Sequence, residues 1–213
     1  MYRLYYAEGS AAQGVRVLLE EMELSYELIH TSIDMTIPRD PGVLALNPNG
    51  WIPVLLWEDG AMYEAGAITT FLCDRHPGVG MAPGPSEPER GLFLQWLFFF
   101  SSSIQNAYQM TYYPFRFSVD EGHFGSVNQR SIARLRELWN VVDDAAEGKE
   151  WMLGERFSAV DIYLFMLVTW LSTDHDHPEA EEFPNVARIA RKVMSRPSVQ
   201  KVYADYVGSG VLA

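Results

Sequence analysis

Two segments of the chain combine a turn with the start of a predicted helix, and each carries groups that can stabilise an anion. The first is a small polar turn at residues 9–13, where Ser10 follows a glycine and precedes a helical pattern. A hydroxyl there can donate a hydrogen bond, and the helix dipole favours negative charge. The second begins at Glu64 and Ala65, where free N–H groups at a helix start can hold a ligand carboxylate. Both features also have a structural interpretation, because Ser10 can cap its helix and Glu64 can simply favour a helix start.

Aromatic side chains crowd residues 96–117, a composition that fits either a helical core or an apolar binding pocket. Most aromatic residues at helical spacing belong to a core. Phe98–Phe100 are consecutive, however, and cannot all face the same core. A concave, aromatic-lined pocket with few polar groups suits an apolar or aromatic ligand.

Neither the histidines nor the cysteine predicts a metal or redox site. Residues 174–177 read Asp-His-Asp-His, and both side chains can ligate metals. Adjacent residues in a loop rarely converge on one ion, so we expect a solvated acidic loop and no metal. The lone Cys73 excludes an internal disulfide and any cysteine-based cluster. It lies in a predicted helix, and we expect it to be a packing residue.

The elements that must position these residues fall into two unlike regions. Residues 1–77 follow the order strand, helix, strand, loop, hairpin, helix, which predicts an α/β domain with a mixed sheet. Residues 78–88 are dense in proline and glycine and predict an interdomain linker. Residues 89–213 show helical periodicity, which predicts an all-helical C-terminal domain. The predicted strands are residues 2–6, 26–29, 52–57 and 61–63, and the predicted helices are residues 15–22, 65–75, 89–110, 127–147, 159–171, 186–195 and 198–206.

The sharpest local signal is Ser158 followed three residues later by Asp161, an acidic variant of the capping box. Phe157 before the cap and Ile162 after it can form a hydrophobic staple. The helix that follows is apolar all round and predicts a buried element, whose first N–H groups cannot rely on water. We therefore expect Asp161 to be a structural cap and not a catalytic acid.

Composition excludes several classes of protein. The chain has 213 residues, of which 48% are hydrophobic, enough for a packed core, so global disorder is excluded. It carries 16 Lys and Arg against 28 Asp and Glu, a net charge of −12 that disfavours binding to nucleic acids and anionic lipid surfaces. The N-terminus has no signal-peptide pattern, and the apolar run at residues 159–171 is too short to span a membrane. We expect a soluble, cytoplasmic protein.

Three ordered segments and residues 157–161 resemble one known family. The segments are residues 5–10 leading into 15–20, residues 46–55 with the turn Asn-Pro-Asn-Gly, and residues 63–68. In this order they resemble the cytosolic glutathione S-transferases, in a bacterial-type branch that uses serine or tyrosine. The likeness runs from residue 1 to about Tyr206. It implies a thioredoxin-like N-terminal domain, an all-helical C-terminal domain that lines the electrophile site, and a homodimer.

The resemblance implies where glutathione, the co-substrate, would bind. Pro53 would be cis, and the backbone of Ile52 would bond the cysteinyl part of the tripeptide. Glu64 would contact its γ-glutamyl end. The alternative for Pro53 is an ordinary loop proline at the start of a strand.

Two positions depart from the family pattern. Ala65 stands where relatives carry Ser or Thr, so only a backbone N–H remains to hold the carboxylate. Trp51 stands where many relatives carry Lys, Arg or Gln that touches the ligand. Arg39 is a candidate substitute cation for the glycyl carboxylate, with an exposed, solvated arginine as the alternative.

Glutathione chemistry needs a thiolate, and a free thiol with a pKa of about 8.5 is only a few per cent ionised at neutral pH. The resemblance implies a donor at the end of the first strand or in the turn after it. Ser10 is the first candidate, Tyr5 the second by its spacing to Arg16, and Tyr6 the third. Side chains alternate along a strand, so Tyr5 and Tyr6 cannot both face the site. A cysteine-using relative would place its thiol near Ala11, where this chain has none.

We interpret the chain as an enzyme, a glutathione transferase that ionises the thiol for attack on a hydrophobic or aromatic electrophile, with a role in detoxification. The resemblance implies that Tyr108, Tyr112 and Phe115 bind the electrophile. One alternative is another glutathione-dependent reaction on the same fold, such as that of a lyase, isomerase or dehalogenase. A second is a non-catalytic binding protein, which the two departures favour and the retained Pro53 and Glu64 oppose.

Overall fold

A computed structural model describes residues 1–208 of the chain, except for the side chain of Asp174. A four-stranded sheet with covering helices forms the N-terminal part, and the rest of the described chain is helical, as predicted. The strands are β1 (Tyr2–Tyr6), β2 (Tyr26–His30), β3 (Val54–Trp57) and β4 (Gly60–Tyr63). The helices are α1 (Ala12–Glu21), α2 (Pro41–Leu46), α3 (Ala65–Arg75), α4 (Arg90–Phe98), α5 (Gln105–Tyr112), α6 (Phe124–Ala146), α7 (Ala159–Val168), α8 (Pro184–Met194), α9 (Pro197–Val202) and α10 (Ala204–Gly208).

The sheet has the order β2-β1-β3-β4 and is mixed. β1 runs parallel to β2 and antiparallel to β3, and β3 forms a hairpin with β4. Strand β3 begins at Val54 and not at residue 52, because Pro53 has no N–H to donate to the ladder. Along β1, Leu4 and Tyr6 are buried, whereas Arg3 and Tyr5 lie on the opposite face of the sheet.

Helix α2 lies in a segment that we predicted as a loop, and its local chemistry explains it. The side chain of Asp40 accepts hydrogen bonds from the N–H groups of Gly42 and Val43, at 2.7 and 3.3 Å. Pro41 occupies the first helical position, where its missing N–H costs nothing. An N-cap followed by proline therefore starts a helix of only one and a half turns.

The structure is helical over most of the predicted helix at residues 89–110, but its central part is not α-helical. Between α4 and α5, Phe99–Ile104 form a π-helical segment. The wider turn changes the angular spacing of side chains, so α4 and α5 present faces that a single α-helical period does not predict. π-Helical turns of this kind often lie near functional sites.

Helix α7 is buried along its whole length, and its N-terminus has the predicted capping box. The backbone N–H of Ser158 donates to Asp161 at 2.9 Å, and the N–H of Met152 donates to the other carboxylate oxygen at 2.8 Å. Burial raises the pKa of Asp161 to about 6, against the hydrogen bonds from Met152 and Ser158, which favour the charged form. Asp161 therefore satisfies the start of a buried helix, as expected.

The segment between α3 and α4 is held by arginines on both sides. Arg90 makes a bidentate pair with Asp74 at 2.8 and 2.9 Å across it. Arg156 donates to the carbonyl oxygens of Gly80 and Ala82 at 3.2 and 2.9 Å. These contacts anchor the proline-rich segment, and with it the position of one region against the other.

The two regions pack through α1 and α7. A Cβ on Gly14 would lie 2.6 Å from the sulfur of Met166, so glycine allows the two helices to approach closely. At the other end of α1, Glu21 forms a bidentate pair with Arg196 at 2.8 and 2.6 Å. In the described part of the chain, no helix is both long enough and apolar enough to cross a membrane.

Candidate active site

A groove of about 480 Å³ lies between the sheet-containing region and the helical region. The groove is lined by residues of the two turn-and-helix segments identified in the sequence and by part of the aromatic stretch. Its walls are formed by Gly9, Ser10, Ala11, Ile33, Asn47, Asn49, Trp51, Ile52, Pro53, Glu64, Ala65, Gln105, Tyr108, Gln109, Tyr112, Tyr113, Arg116, Thr169 and Trp170. A cavity of this size, whose lining is polar and apolar in about equal parts, suits small molecules that carry both kinds of group.

Ser10 lies at the floor of the groove, immediately before α1, and its side chain is buried. Its hydroxyl donates to the carbonyl oxygen of Ala7 at 2.6 Å and accepts from the N–H of Ala12 at 3.2 Å. The second bond satisfies one of the free N–H groups of the helix start, as a cap does. The hydroxyl oxygen is thus held in place, and its proton can turn to a different acceptor by rotation about the C–O bond.

The two tyrosines at the end of β1 lie elsewhere. Tyr5 is not among the residues that line the groove, and a Cβ on Gly42 of α2 would lie 2.5 Å from its hydroxyl oxygen. Tyr6 is buried on the other face, where its hydroxyl accepts from Arg16 at 3.2 Å. Of the three candidate thiol-activating residues, only Ser10 reaches the groove.

The peptide bond between Ile52 and Pro53 is cis, which confirms the prediction for Pro53. The turn before it is fixed by Asn47, whose amide donates to the carbonyl oxygen of Trp51 at 2.8 Å. Gly50 has φ +71°, and a Cβ there would lie 3.2 Å from Cγ of Arg39. The turn therefore needs a glycine at this position, and it presents the backbone of Ile52 to the groove.

Glu64 lies at the N-terminal end of α3 with φ +76° and ψ 111°, a conformation rare for residues other than glycine. Its carbonyl oxygen accepts from Ile68, and its side chain is exposed on the groove. Ala65 follows and is buried. The first N–H groups of α3 have no intrahelical acceptors, so this end of the groove favours a carboxylate.

Trp51 lies between two arginines. The guanidinium carbon of Arg39 is 4.9 Å from the centre of its ring, and that of Arg116 is 4.8 Å away. The ring of Tyr113 is 5.2 Å from the same centre. Arg39 itself does not line the groove. Because its guanidinium contacts the ring of Trp51, which does line the groove, the charge of Arg39 lies beside the groove.

The three predicted electrophile-binding residues have different environments. Tyr112 lines the groove and is partly exposed, whereas Tyr108 lies behind the groove surface and is fully buried. Phe115 does not line the groove and is half exposed, with its ring 6.2 Å from that of Tyr113. The hydroxyl of Tyr108 accepts from Trp139 at 3.3 Å, and burial raises its pKa well above the ordinary value. The hydroxyl of Tyr112 donates to the carbonyl oxygen of Trp170 at 2.9 Å, and burial raises its pKa to about 12. Both phenols are therefore neutral at physiological pH.

Sequence reasoning missed several groove residues: Asn49, Gln109, Arg116, Thr169 and Trp170. A signal existed for Gln109, because it lies four residues after Gln105 on α5 and therefore on the same helix face. Thr169 and Trp170 follow the end of α7, and no local pattern marks them. Arg116 lies in a short 3₁₀ turn after α5, which the sequence analysis did not predict.

The histidine-rich segment agrees only in part with the solvated loop that we expected, because His175 and Asp176 are exposed but His177 is not. His177 is buried, with its ring 5.4 Å from that of Tyr108 and 5.6 Å from that of Tyr112. Burial lowers the pKa of His177 to about 4, so the ring is neutral at pH 7 and packs behind the groove. Among the described side chains, which leave out that of Asp174, no group of three or more His, Cys, Asp or Glu could hold a metal ion.

Comparisons with known proteins agree with this architecture. Residues 4–80 match the family model described as glutathione S-transferase, N-terminal domain, and residues 120–205 match that of the C-terminal domain. The chain is 25% identical over 202 residues to the glutathione S-transferase GstA of Escherichia coli O157:H7, covering 93% of this chain and 95% of that protein. It is 24% identical over 206 residues to the disulfide-bond oxidoreductase YfcG of Escherichia coli K12, covering 93% and 92%. A crystal structure of a glutathione transferase homologue from Sulfitobacter, with bound glutathione, has a TM-score of 0.87 at 23% identity, covering 97% of this chain and 99% of that one.

Proposed function

The chain belongs to the glutathione S-transferase family, and from that premise we propose that it binds glutathione in the groove and ionises its thiol there. The thiolate then attacks an apolar or aromatic electrophile held by the helical region. One observation carries the proposal: Ser10, the cis peptide bond at Ile52-Pro53, and Glu64 lie on different elements but line the same groove.

The N-terminal side of the groove supplies the glutathione site. Strand β3 begins at Val54, so the backbone groups of Ile52 precede the ladder and are available to pair with the cysteinyl part of a peptide. Glu64 can accept from the ammonium group of the γ-glutamyl end, and the N–H of Ala65 at the start of α3 can donate to its carboxylate. Arg39, beside Trp51, is the cation that we assign to the glycyl carboxylate.

Ser10 is the residue that we assign to the thiolate. Its hydroxyl proton is directed at Ala7 in the absence of a ligand, and its oxygen is held by the N–H of Ala12. When a thiolate lies in the groove, rotation of the O–H group redirects the proton to sulfur without moving the oxygen. The first N–H groups of α1 add a positive field at the same place. Hydrogen bonding and dipole both favour the charged form, which lowers the thiol pKa.

The second substrate occupies the helical side of the groove. Tyr112, Tyr113 and Trp170 form its aromatic wall, and the fully buried Tyr108 packs behind Tyr112 and Trp170. In a substitution, sulfur bonds to the electrophilic carbon and the leaving group departs with the bonding electron pair. Catalysis then depends on proximity and on stabilisation of the thiolate, since the neutral phenols supply no base at neutral pH.

The experiment that tests the proposal is calorimetry with glutathione, combined with a pH titration of the thiolate absorbance of the bound ligand. Ser10→Ala is expected to raise the pKa of the bound thiol by about one unit, equivalent to about 1.4 kcal/mol. Tyr5→Phe is the matched control, and it removes a hydroxyl that does not line the groove. The assignment of Ser10 is wrong if Tyr5→Phe shifts the thiol pKa and Ser10→Ala does not. Failure of the native protein to bind glutathione at millimolar concentration would refute the function itself.

The surroundings of two residues bear on the alternatives. Trp51 lacks the charge that relatives carry at this position, but Arg39 contacts its ring and can supply that charge, which supports a complete binding site over a vestigial one. The only cysteine, Cys73, is buried, and burial raises its pKa to about 12. Disulfide exchange through a protein thiol is therefore not part of the proposal.

We further propose that the enzyme is a cytoplasmic homodimer that detoxifies apolar compounds. An exposed aromatic side chain on α4, Phe98, with 62% of its surface accessible, supports association through that helix. The aromatic wall of the groove supports apolar compounds as substrates.

A further inference from the structure

The groove contains a cation, Arg116, that the proposed glutathione site does not use. We propose that Arg116 recognises a carboxylate on the second substrate, so that among aromatic electrophiles one that carries a carboxylate beside its apolar ring is preferred over its neutral analogue. This inference rests on the proposed function, because it names the substrate class of the same groove.

Arg116 lies at an exposed position on the wall of the groove and is held there by neutral groups. One guanidinium nitrogen donates to the side-chain oxygen of Gln109, and the guanidinium carbon lies 4.8 Å from the centre of the Trp51 ring. Among the side chains that the structure describes, which do not include that of Asp174, no acidic group forms an ion pair with Arg116. With respect to those side chains, its charge is positioned but not neutralised. The remaining N–H groups of its fork are arranged to pair with a planar carboxylate.

Its place in the chain assigns Arg116 to the second substrate. It follows α5 directly, on the same segment as Tyr112, which belongs to the aromatic wall. Arg39 approaches the other side of the site from the region that carries Pro53. Both arginines contact the ring of Trp51. Arg39 comes from the sheet-containing region and Arg116 from the helical region, so each can bind a different carboxylate.

The charge of the whole protein makes this local arrangement significant. With a net charge of −12, the surface repels anionic compounds in general. Burial raises the pKa of Tyr113, whereas Arg39 and Arg116 oppose that rise because both positive charges lie near its phenol. A local positive field in an acidic protein selects anions at this point.

The reaction that we expect is aromatic substitution on a chlorinated, nitro-activated benzoate. The glutathione sulfur bonds to the ring carbon that carries chlorine, the carbon–chlorine bond breaks, and chloride leaves with the electron pair. The thiol proton has already passed to solvent when the thiolate formed. The carboxylate at the far side of the ring takes no part in bond breaking and serves only for recognition.

The test compares a chloronitrobenzoate with the chloronitrobenzamide of the same substitution pattern, since the two differ in charge and not in shape. Values of kcat/KM are divided by the uncatalysed rate for each compound. In the native protein the benzoate is expected to be preferred. In Arg116→Gln the benzoate-to-benzamide ratio is expected to fall about tenfold, the effect of roughly 1.4 kcal/mol. Arg116→Lys is expected to retain part of the preference.

Arg39→Gln is the matched control, because it removes the other charge that contacts Trp51. It is expected to raise the KM for glutathione and to leave the ratio for the two electrophiles unchanged. An unchanged ratio in Arg116→Gln would overturn the inference. So would a higher KM for glutathione in that variant with a constant ratio, because Arg116 would then bind the glycyl carboxylate.

A binding measurement gives a second readout that needs no turnover. S-(carboxybenzyl)glutathione and its carboxamide analogue are titrated into the native protein and Arg116→Gln by calorimetry. The native protein is expected to bind the carboxylate more tightly, and the variant is expected to lose that preference. Equal affinity for both ligands in the native protein would overturn the inference and leave the proposed function intact. If neither these conjugates nor glutathione binds, both the proposed function and this inference are wrong.

Discussion

Replacing Glu64 by glycine is expected to stabilise the protein and to weaken its binding of glutathione. Glu64 adopts φ +76° and ψ 111°, a region in which its Cβ meets the backbone and which glycine enters freely. Its side chain is exposed and does not cap the helix, so little in the fold depends on the carboxylate. A residue held in such a conformation marks strain that the surrounding structure imposes at a functional site.

The size of the effect follows from two opposing terms. A sparsely populated backbone conformation costs about 1–3 kcal/mol, which glycine relieves. Glycine in turn adds about 0.5–1 kcal/mol of conformational entropy to the unfolded chain. We therefore expect the free energy of unfolding to rise by about 1 kcal/mol. For a chain of this length, the corresponding increase in Tm is about 2–4 °C.

Glu64→Ala is the control that separates strain from charge. Alanine keeps the Cβ and therefore the strain, but it removes the carboxylate, as glycine does. Both variants are expected to bind glutathione at least about tenfold more weakly, because each loses a hydrogen bond to a charged group, worth about 1.5–3 kcal/mol. Urea and thermal unfolding measure stability, and calorimetry measures affinity. The reasoning about backbone strain is refuted if Glu64→Gly is no more stable than Glu64→Ala.

Two other predictions concern residues outside the groove. Cys73 is buried, and its pKa is raised to about 12. We therefore expect an aromatic disulfide reagent at pH 8 to label this thiol only after denaturation. Immediate stoichiometric labelling of the native protein would contradict its burial. Phe98→Glu replaces an exposed aromatic side chain of α4 by a charged one. We expect this variant to sediment as a folded monomer instead of the proposed dimer. An unchanged dimer would show that this surface is not the interface.

Local sequence patterns predicted most of the elements that carry the site. Alternation of side chains correctly separated Tyr5 from Tyr6, and the spacing of Ser158 and Asp161 predicted the cap of α7. Glu64 and Ala65 lie at the start of a helix, as expected. Such features depend on interactions within a few residues, so the sequence alone is enough to predict them.

Two other elements, α2 and the π-helical segment, were not predicted from the sequence. The six-residue α2 carried a clear signal, Asp40 followed by Pro41, although its hydrophobic pattern was too short to mark a helix. The π-helical segment at residues 99–104 had no signal, because its wider turn is a response to packing and not to local propensity.

The sequence by itself determined the two regions, the helix starts that favour anions, and the residue types available to a thiolate. Only the tertiary structure decided that Ser10 and not Tyr5 reaches the groove, and that Arg39 and Arg116 meet on opposite sides of the site at Trp51. Periodicity and capping act over one or two turns. The contact of residue 51 with residue 116 instead depends on how two separately formed regions dock, which is set by close approaches such as that of Gly14 to Met166.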